Sequence, residues 1–372
     1  MPGLCATLAV NPGYALEVNR RAAAVAARRW IWPGRGRGDL VRLFFRICVV
    51  YALISLAVIM LVRDVGFELL FEAGRATVEF ATAILSVVKW TLPFLLVLPF
   101  LIGLRGLAAN LGNLCYALAG SSLLQATFSL VKSSIPFVVP FYADPPLAAF
   151  DRWLHGGVDA WVIAHRWAGQ IPVAQIFPLY LEVWLFPAVG FVVFLALADR
   201  DRERQMRFIA LYFTCWVLLG TALAVAGASV GPVFYDALVG GDRFEALTAA
   251  LAASPMATNN LADVQEYLWA SYERRGVALG SGISAFPSVH VAVATMVALY
   301  MAERRWWLAP PGVAFVAAIL FLSVYTGYHY AVDGYFSILV VAAIWAALRG
   351  MRPAASGIRP VGLRPDTGAV AS

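Results

Sequence analysis

Two histidines carry the chemistry this sequence can do. His290 sits in SAFPSVHVAV (Ser284–Val293), where a proline and a hydroxyl precede an apolar run. His329 sits in YTGYHYAVDGY (Tyr325–Tyr335), with Asp333 four residues behind it. On a helix that spacing puts both side chains on one face. A carboxylate there holds an imidazole in one tautomer and stabilises its charged form. One imidazole can attack phosphorus, with Asp333 raising its nucleophilicity. The other can protonate a departing alkoxide. Ser288 and nearby backbone N–H groups can bind phosphate oxygens. Pro287 stiffens the approach to a helix starting near Ser288, whose N-terminus favours an anion. The other two of the four histidines, His155 and His165, read as solvated or locally bonded rings on a surface helix.

The elements that must position these groups are membrane helices. Of 372 residues, 61% are hydrophobic and 13% charged, whereas a soluble chain is about half apolar and about a quarter charged. The net charge of +6 does not point to nucleic acid, because the arginines cluster beside apolar runs, as membrane topology requires. Cys5, Cys48, Cys115 and Cys215 form no CxxC pair, so neither a disulfide framework nor a zinc site is expected. The Arg-rich N-terminus does not read as a signal peptide.

A spanning helix needs about 20 mostly apolar residues. The expected spans are Leu43–Val62, Leu85–Leu104, Leu107–Val131, Val173–Ala198, Phe208–Val230, Val289–Ala302, Leu308–Tyr325 and Val332–Leu348. The fold expected is therefore all-α, a polytopic membrane bundle of about eight transmembrane helices. Arginines precede the first span, fill DRDRERQMR (Asp199–Arg207) and ERRWW (Glu303–Trp307), and follow the last span. An even number of spans puts these on one side, so both termini are expected to be cytoplasmic. The chain then divides into a cytoplasmic Arg-rich segment 1–42, two additional helices in 43–106, a six-helix core 107–348, and a disordered cytoplasmic tail 349–372. The core's outward loops are 133–172 and 231–288. Within them, Asp144–Gly169 and Leu261–Gly276 read as helices packed on the outer surface.

An ionisable residue near lipid is costly, and by default it marks function. His290 and His329 both fall at the outer ends of spans. PSVH followed by HYAVD resembles the type 2 phosphatidic acid phosphatase superfamily, which has a P-S-G-H box before one core helix and an H-x-x-x-D box two spans later. The nearest branch is that of inositol phosphorylceramide synthase and sphingomyelin synthase, an inositolphosphotransferase-like group. GISAFPSVHVA is similar to its bacterial members. The likeness covers about Leu107 to Leu348.

The resemblance implies a membrane enzyme of lipid metabolism, a hydrolase or transferase needing no cofactor and no metal. Its substrate would be a membrane lipid phosphate, and its acceptor a lipid alcohol or water. His329 resembles the nucleophile that becomes a phosphohistidine. Asp333 resembles its orienting carboxylate, His290 the general acid, and Ser288 a phosphate ligand. GPVFYD (Gly231–Asp236) takes the place of the first phosphate-binding box, leaving Tyr235 as its polar side chain. The implied location is a bacterial inner membrane, with the site on the extracytoplasmic side.

Three departures concern phosphate. The first box lacks its lysine and its Arg-Pro pair, Ser323 stands where an arginine is expected, and Val289 replaces the glycine of the second box. Arg274, Arg275 or Arg243 can supply the missing charge, and Tyr328 and Tyr330 can donate hydrogen bonds. Two other readings use the same residues. His290, His329 and Asp333 suit a zinc hydrolase, which leaves Ser288 and Pro287 without a role. A transporter relay suits them too, without an inverted repeat to support it. A Ser-His hydrolase on Ser288 is excluded by the lack of a G-x-S-x-G elbow.

Overall fold

In the computed structural model, the structure describes residues 37–63, 104–254, 261–274 and 282–350, with four isolated positions between 71 and 78. The expected span Leu85–Leu104 lies outside the described residues but for its last residue, as do most of 1–42, the tail beyond 350, and Arg275. Among the described residues the chain is helical, without strands. Among the described residues five helices are long and apolar enough to cross a membrane, or six when a bent pair is counted as one span. The protein is an integral membrane helical bundle.

Helix α1 (Arg37–Arg63) lies along α2 (Leu104–Val138). Its outer face carries Val50, Leu53, Ile54 and Leu61, all exposed. Such a stripe is stable only against lipid. Two short helices follow, α3 (Asp144–Leu154) and α4 (Ala160–Ala168). Gly156 and Gly157 separate them, both at positive φ. Next comes the bent pair, Val173–Val183 and Leu185–Ala198, which meet at 42°. Its first arm joins α5 (Val173–Ile176) to a π-helical turn, Leu179–Val183. Its second arm is α6 (Leu185–Ala198).

Helix α7 (Arg202–Phe213) continues through a π-helical stretch, Thr214–Leu223, to Ala226. The span expected over Phe208–Val230 therefore stops short. Residues 228–230 leave the helix because their backbone bonds elsewhere: Ala285 N–H donates to Ser229 O (2.9 Å) and Ala143 N–H to Ala228 O (3.1 Å). Short helices α8 (Pro232–Leu238), α9 (Glu245–Ala252) and α10 (Leu261–Glu273) lie between α7 and the proline box.

The last three helices are α11 (Val289–Arg304), α12 (Ala309–Tyr325) and α13 (Ala331–Gly350). Helix α11 packs against both α12 and α13. It has 16 residues, so at 1.5 Å per residue it is about 24 Å long, shorter than the hydrocarbon core. The bundle has two chemically different ends. At one end Arg204 grips Asp199 with two bonds of 2.6 Å, and Arg207 pairs with Glu303 at 2.9 Å. Trp345 Nε1–H also donates to Glu303 (2.6 Å). At the other end stand both histidine boxes.

Candidate functional site

Ser288 is the N-cap of α11, and its Oγ accepts from Val291 N–H at 3.4 Å. The proline box works locally because the cap stops the helix at the point where His290 enters the first turn. Ser288 is fully buried, and its own O–H remains to donate. Its backbone N–H donates to Asp333 O (3.4 Å), tying this box to the second one. Pro287 is buried beside it, after a cis peptide bond.

The spacing of His329 and Asp333 predicts one shared helix, and the structure corrects this: the two do not share a helix. His329 lies in the loop Thr326–Tyr330, and Asp333 lies in the first turn of α13. They still meet, with His329 Nδ1 3.5 Å from Asp333 Oδ2. The same Oδ2 accepts Tyr330 N–H at 3.0 Å. A carboxylate at the third helical position that reaches back to the capping residue's N–H is half of a capping box. The fold of the loop therefore follows from local sequence. His329 is 7% exposed and Asp333 is fully buried. Asp333 Oδ1, His329 Nδ1 and Tyr328 Oη have no hydrogen-bond partner among the described residues. Burial, and then the charge of Lys132, pushes His329 down to about 3 against a weaker backbone bond to Ala285. The ring is held neutral, with Nε2 turned away from the carboxylate.

The His290 ring centroid is 6.2 Å from that of His329. Tyr180 stacks on His290 at 4.4 Å and Trp184 at 4.0 Å. Trp184 Nε1–H donates to the His290 carbonyl (3.0 Å). Tyr328 lies parallel to Tyr180 at 6.3 Å. Tyr180 lies on the π-helical turn and Trp184 at its end. The sequence reasoning missed both, although their i, i+4 spacing in LYLEVW was visible. It also missed Lys132, near the C-terminal end of α2, which acts electrostatically on both histidines. The only sequence signal for Lys132 was a cation inside an apolar helix.

The other expected residues are placed differently. Tyr235 packs edge-on against Phe244 at 5.2 Å and is buried in the core. The amides of the first box are committed. Val230 and Gly231 N–H donate to Asp144, and Val233 N–H donates to Gly327 O (2.9 Å). Gly231 has φ +81°, and a Cβ there would stand 2.5 Å from Tyr328 O, so only glycine fits. Tyr330 Oη–H donates to Asp144. Arg243 is bonded to Ala148 O (3.0 Å) and Asp159 (3.1 Å). Arg274 is exposed at the end of α10. Ser323, at the position of the absent arginine, bonds its own helix at Ile319 O (2.8 Å).

His155 bonds Asp151 O (2.6 Å) and Tyr335 Oη (3.1 Å), and His165 bonds Tyr325 O (2.9 Å). Neither ring is merely solvated or locally bonded, since each ties its helix to a distant one. Among the described residues no group of three His, Cys, Asp or Glu side chains converges as metal ligands would. The arrangement offers a neutral imidazole beside a carboxylate, a second imidazole 6.2 Å away, a capped helix start and the half-buried cation Lys132. It can hold a phosphate, attack it and protonate a leaving oxygen.

No curated protein and no solved structure matches the chain. A family model described as the PAP2 superfamily matches residues 145–347. That segment is more than half of the 372 residues and holds His290, His329 and Asp333. The chain belongs to the PAP2 superfamily.

Proposed function

We propose that this membrane protein transfers a phosphoryl or phospho-head group from a phosphorylated lipid to an alcohol or to water through a phosphohistidine at His329. What carries the reading is the pair of His329 Nδ1 and Asp333 Oδ2 at 3.5 Å, with a second imidazole 6.2 Å from the first. Superfamily membership already marks the chain as a phosphatase-type membrane protein with a lipid phosphate as its substrate class.

In the proposed cycle, His329 Nε2 attacks phosphorus in line with the departing lipid oxygen. The P–N bond forms as the P–O bond breaks. Asp333 accepts the Nδ1 proton's hydrogen bond, and the 3.5 Å separation shortens as positive charge develops on the ring. His290 gives its proton to the leaving oxygen. The dianionic phosphate favours the protonated form of this ring when it binds. Lys132, rather than the exposed Arg274, supplies the positive charge that the first and third boxes lack. The Ser288 hydroxyl and the first-turn amides of α11 take phosphate oxygens. Water, or the hydroxyl of a lipid alcohol, then gives its proton to His290 and attacks phosphorus; the new P–O bond forms as the P–N bond breaks, and His329 leaves as the neutral ring.

The inositolphosphotransferase-like branch is our reading for the acceptor. It rests on the absent first-box cations and on Val289 in place of glycine. Residues 107–348 would form the catalytic core, with the two preceding spans an addition to it. The histidine end would face outward from a bacterial inner membrane, with the arginine end and both termini cytoplasmic.

The test uses purified protein in detergent, a panel of lipid phosphates and phosphoinositides, and mass spectrometry of both phosphate and new lipids. Wild type should turn over one of them. Denaturing the protein during turnover should trap an acid-labile phosphoryl group on His329, and His329→Ala should abolish both. Unchanged turnover in His329→Ala would end the proposal. Free phosphate alone would make the protein a phosphatase, and a new phospholipid appearing only with an added alcohol would make it a transferase.

A further inference from the structure

Helix α3 lies outside the histidine boxes in sequence, yet two of its carboxylates hold them. Asp144, its first residue, is fully buried. Asp144 Oδ2 accepts Val230 N–H at 2.8 Å, and Oδ1 accepts Gly231 N–H and Tyr330 Oη–H, both at 3.0 Å. Asp151 is 3% exposed. Its Oδ1 accepts Val332 N–H at 3.1 Å and its Oδ2 accepts Ala160 N–H at 3.4 Å. The two aspartates are seven residues apart, so they share one helix face.

Their partners bracket the catalytic pair. Tyr330 directly follows His329, and Val332 directly precedes Asp333. The same Asp144 carboxylate also fixes Gly231, whose backbone packs against Tyr328. A bare scaffold would bury apolar side chains here. Burying a carboxylate costs several kcal/mol unless its oxygens are satisfied. A carboxylate is an acceptor only, and here three donors meet one.

We propose that Asp144, with Asp151 in support, is a positioning residue that sets the His329–Asp333 geometry by clasping the Tyr328–Val332 loop to the Val230–Gly231 turn. This rests on the phosphohistidine reading, because the geometry it sets is that of the nucleophile. Removing the clasp leaves His329 on a loop anchored mainly by its own cap. The fraction of molecules with His329 aligned then falls, while the binding of phosphate at Ser288 and Lys132 is unaffected.

The test compares wild type, Asp144→Asn, Tyr330→Phe and the double variant. The asparagine side chain keeps the shape of the aspartate but turns an N–H₂ toward an N–H donor. Tyr330→Phe removes one O–H and leaves the ring packing. Three quantities are read: single-turnover phosphorylation of His329, KM for the lipid phosphate, and melting temperature in detergent. Each single variant should slow phosphorylation about 10- to 100-fold, with KM changed less than about threefold. The double variant should be no slower than Asp144→Asn, since both substitutions break one network.

A folded Asp144→Asn protein with wild-type phosphorylation would overturn the proposal. So would losses that multiply in the double variant. If Asp144→Asn does not fold, Tyr330→Phe decides by the same rate. A parallel reading needs no turnover at all: the rate at which diethylpyrocarbonate modifies His329, followed by peptide mass spectrometry. If wild type turns over no lipid phosphate, the functional reading fails. The clasp is then judged by this rate alone, expected to change severalfold in Tyr330→Phe and refuted if unchanged.

Discussion

Replacing Trp184 by alanine tests whether the aromatic stack places His290 as the general acid. Trp184 lies on the His290 ring at 4.0 Å and donates its Nε1–H to the His290 carbonyl at 3.0 Å. A stacked aromatic pair contributes about 1 kcal/mol beyond area burial, and the hydrogen bond contributes about 1 kcal/mol more. Losing about 2 kcal/mol of orientation corresponds to about a 30-fold fall in the population of correctly placed rings. Proton donation matters only when the leaving oxygen is basic. With a lipid phosphate, whose leaving group is an alkoxide, kcat should fall about 30-fold. With an aryl phosphate whose phenol is acidic, it should fall less than about threefold. Trp184→Phe keeps a ring and loses only the N–H, so its loss should be a fewfold. The assay is steady-state kinetics on both substrates, with melting temperature as control, because alanine also leaves a cavity. Equal losses on the two substrates, or none on either, would refute the role given to His290 and its stack.

Three further outcomes are expected. Lys132→Met should lower kcat/KM for lipid phosphates about 10- to 100-fold by removing a charged bond of about 1.5–3 kcal/mol, and Arg274→Met should leave it unchanged. Gly231→Ala should cost about 2 kcal/mol or more, read as a lower melting temperature, because φ is +81° and the new Cβ would stand 2.5 Å from Tyr328 O. The His329 ring, held to about 3 from an ordinary 6.5, makes a contribution to stability with a definite sign. Its folded value lies below its unfolded one, so the contribution is complete above pH 6.5 and is lost as pH falls from 6.5 towards 3. The stability of wild type relative to His329→Gln should fall over that window in melts at fixed ionic strength, and kcat/KM should show no His329 titration near 6.5.

Much of the bundle was legible because the bilayer imposes one strong rule. Apolar runs of spanning length must be helices. The described helices therefore follow the apolar runs, with differences at their ends and a 42° break inside the run Val173–Ala198. Helix α7 ends at Ala226 rather than Val230 because Ser229 bonds the backbone of residues 285–286. Asp144–Gly169 reads from sequence as one or two surface helices, and the structure makes it two, parted at Gly156–Gly157, where φ turns positive. The juxtaposition of His329 and Asp333 was legible from their spacing, although a cap rather than a shared helix face produces it.

What the sequence by itself determined is the kind of protein and the local chemistry. These are the helical membrane bundle, the helix start near Ser288, and the pairing of His329 with Asp333 four residues on. Each depends on residues within about one turn of one another, or on hydropathy summed along one segment. Only the tertiary structure decided which distant groups complete the site: Lys132 from α2, Tyr180 and Trp184 from the bent pair, and Asp144 from α3. It also decided that the first-box amides, Tyr235 and Tyr330 are occupied elsewhere. The physical reason is that these contacts join residues far apart along the chain. Their meeting is set by the rotation and depth at which whole helices pack. Periodicity along one chain segment carries no record of that register.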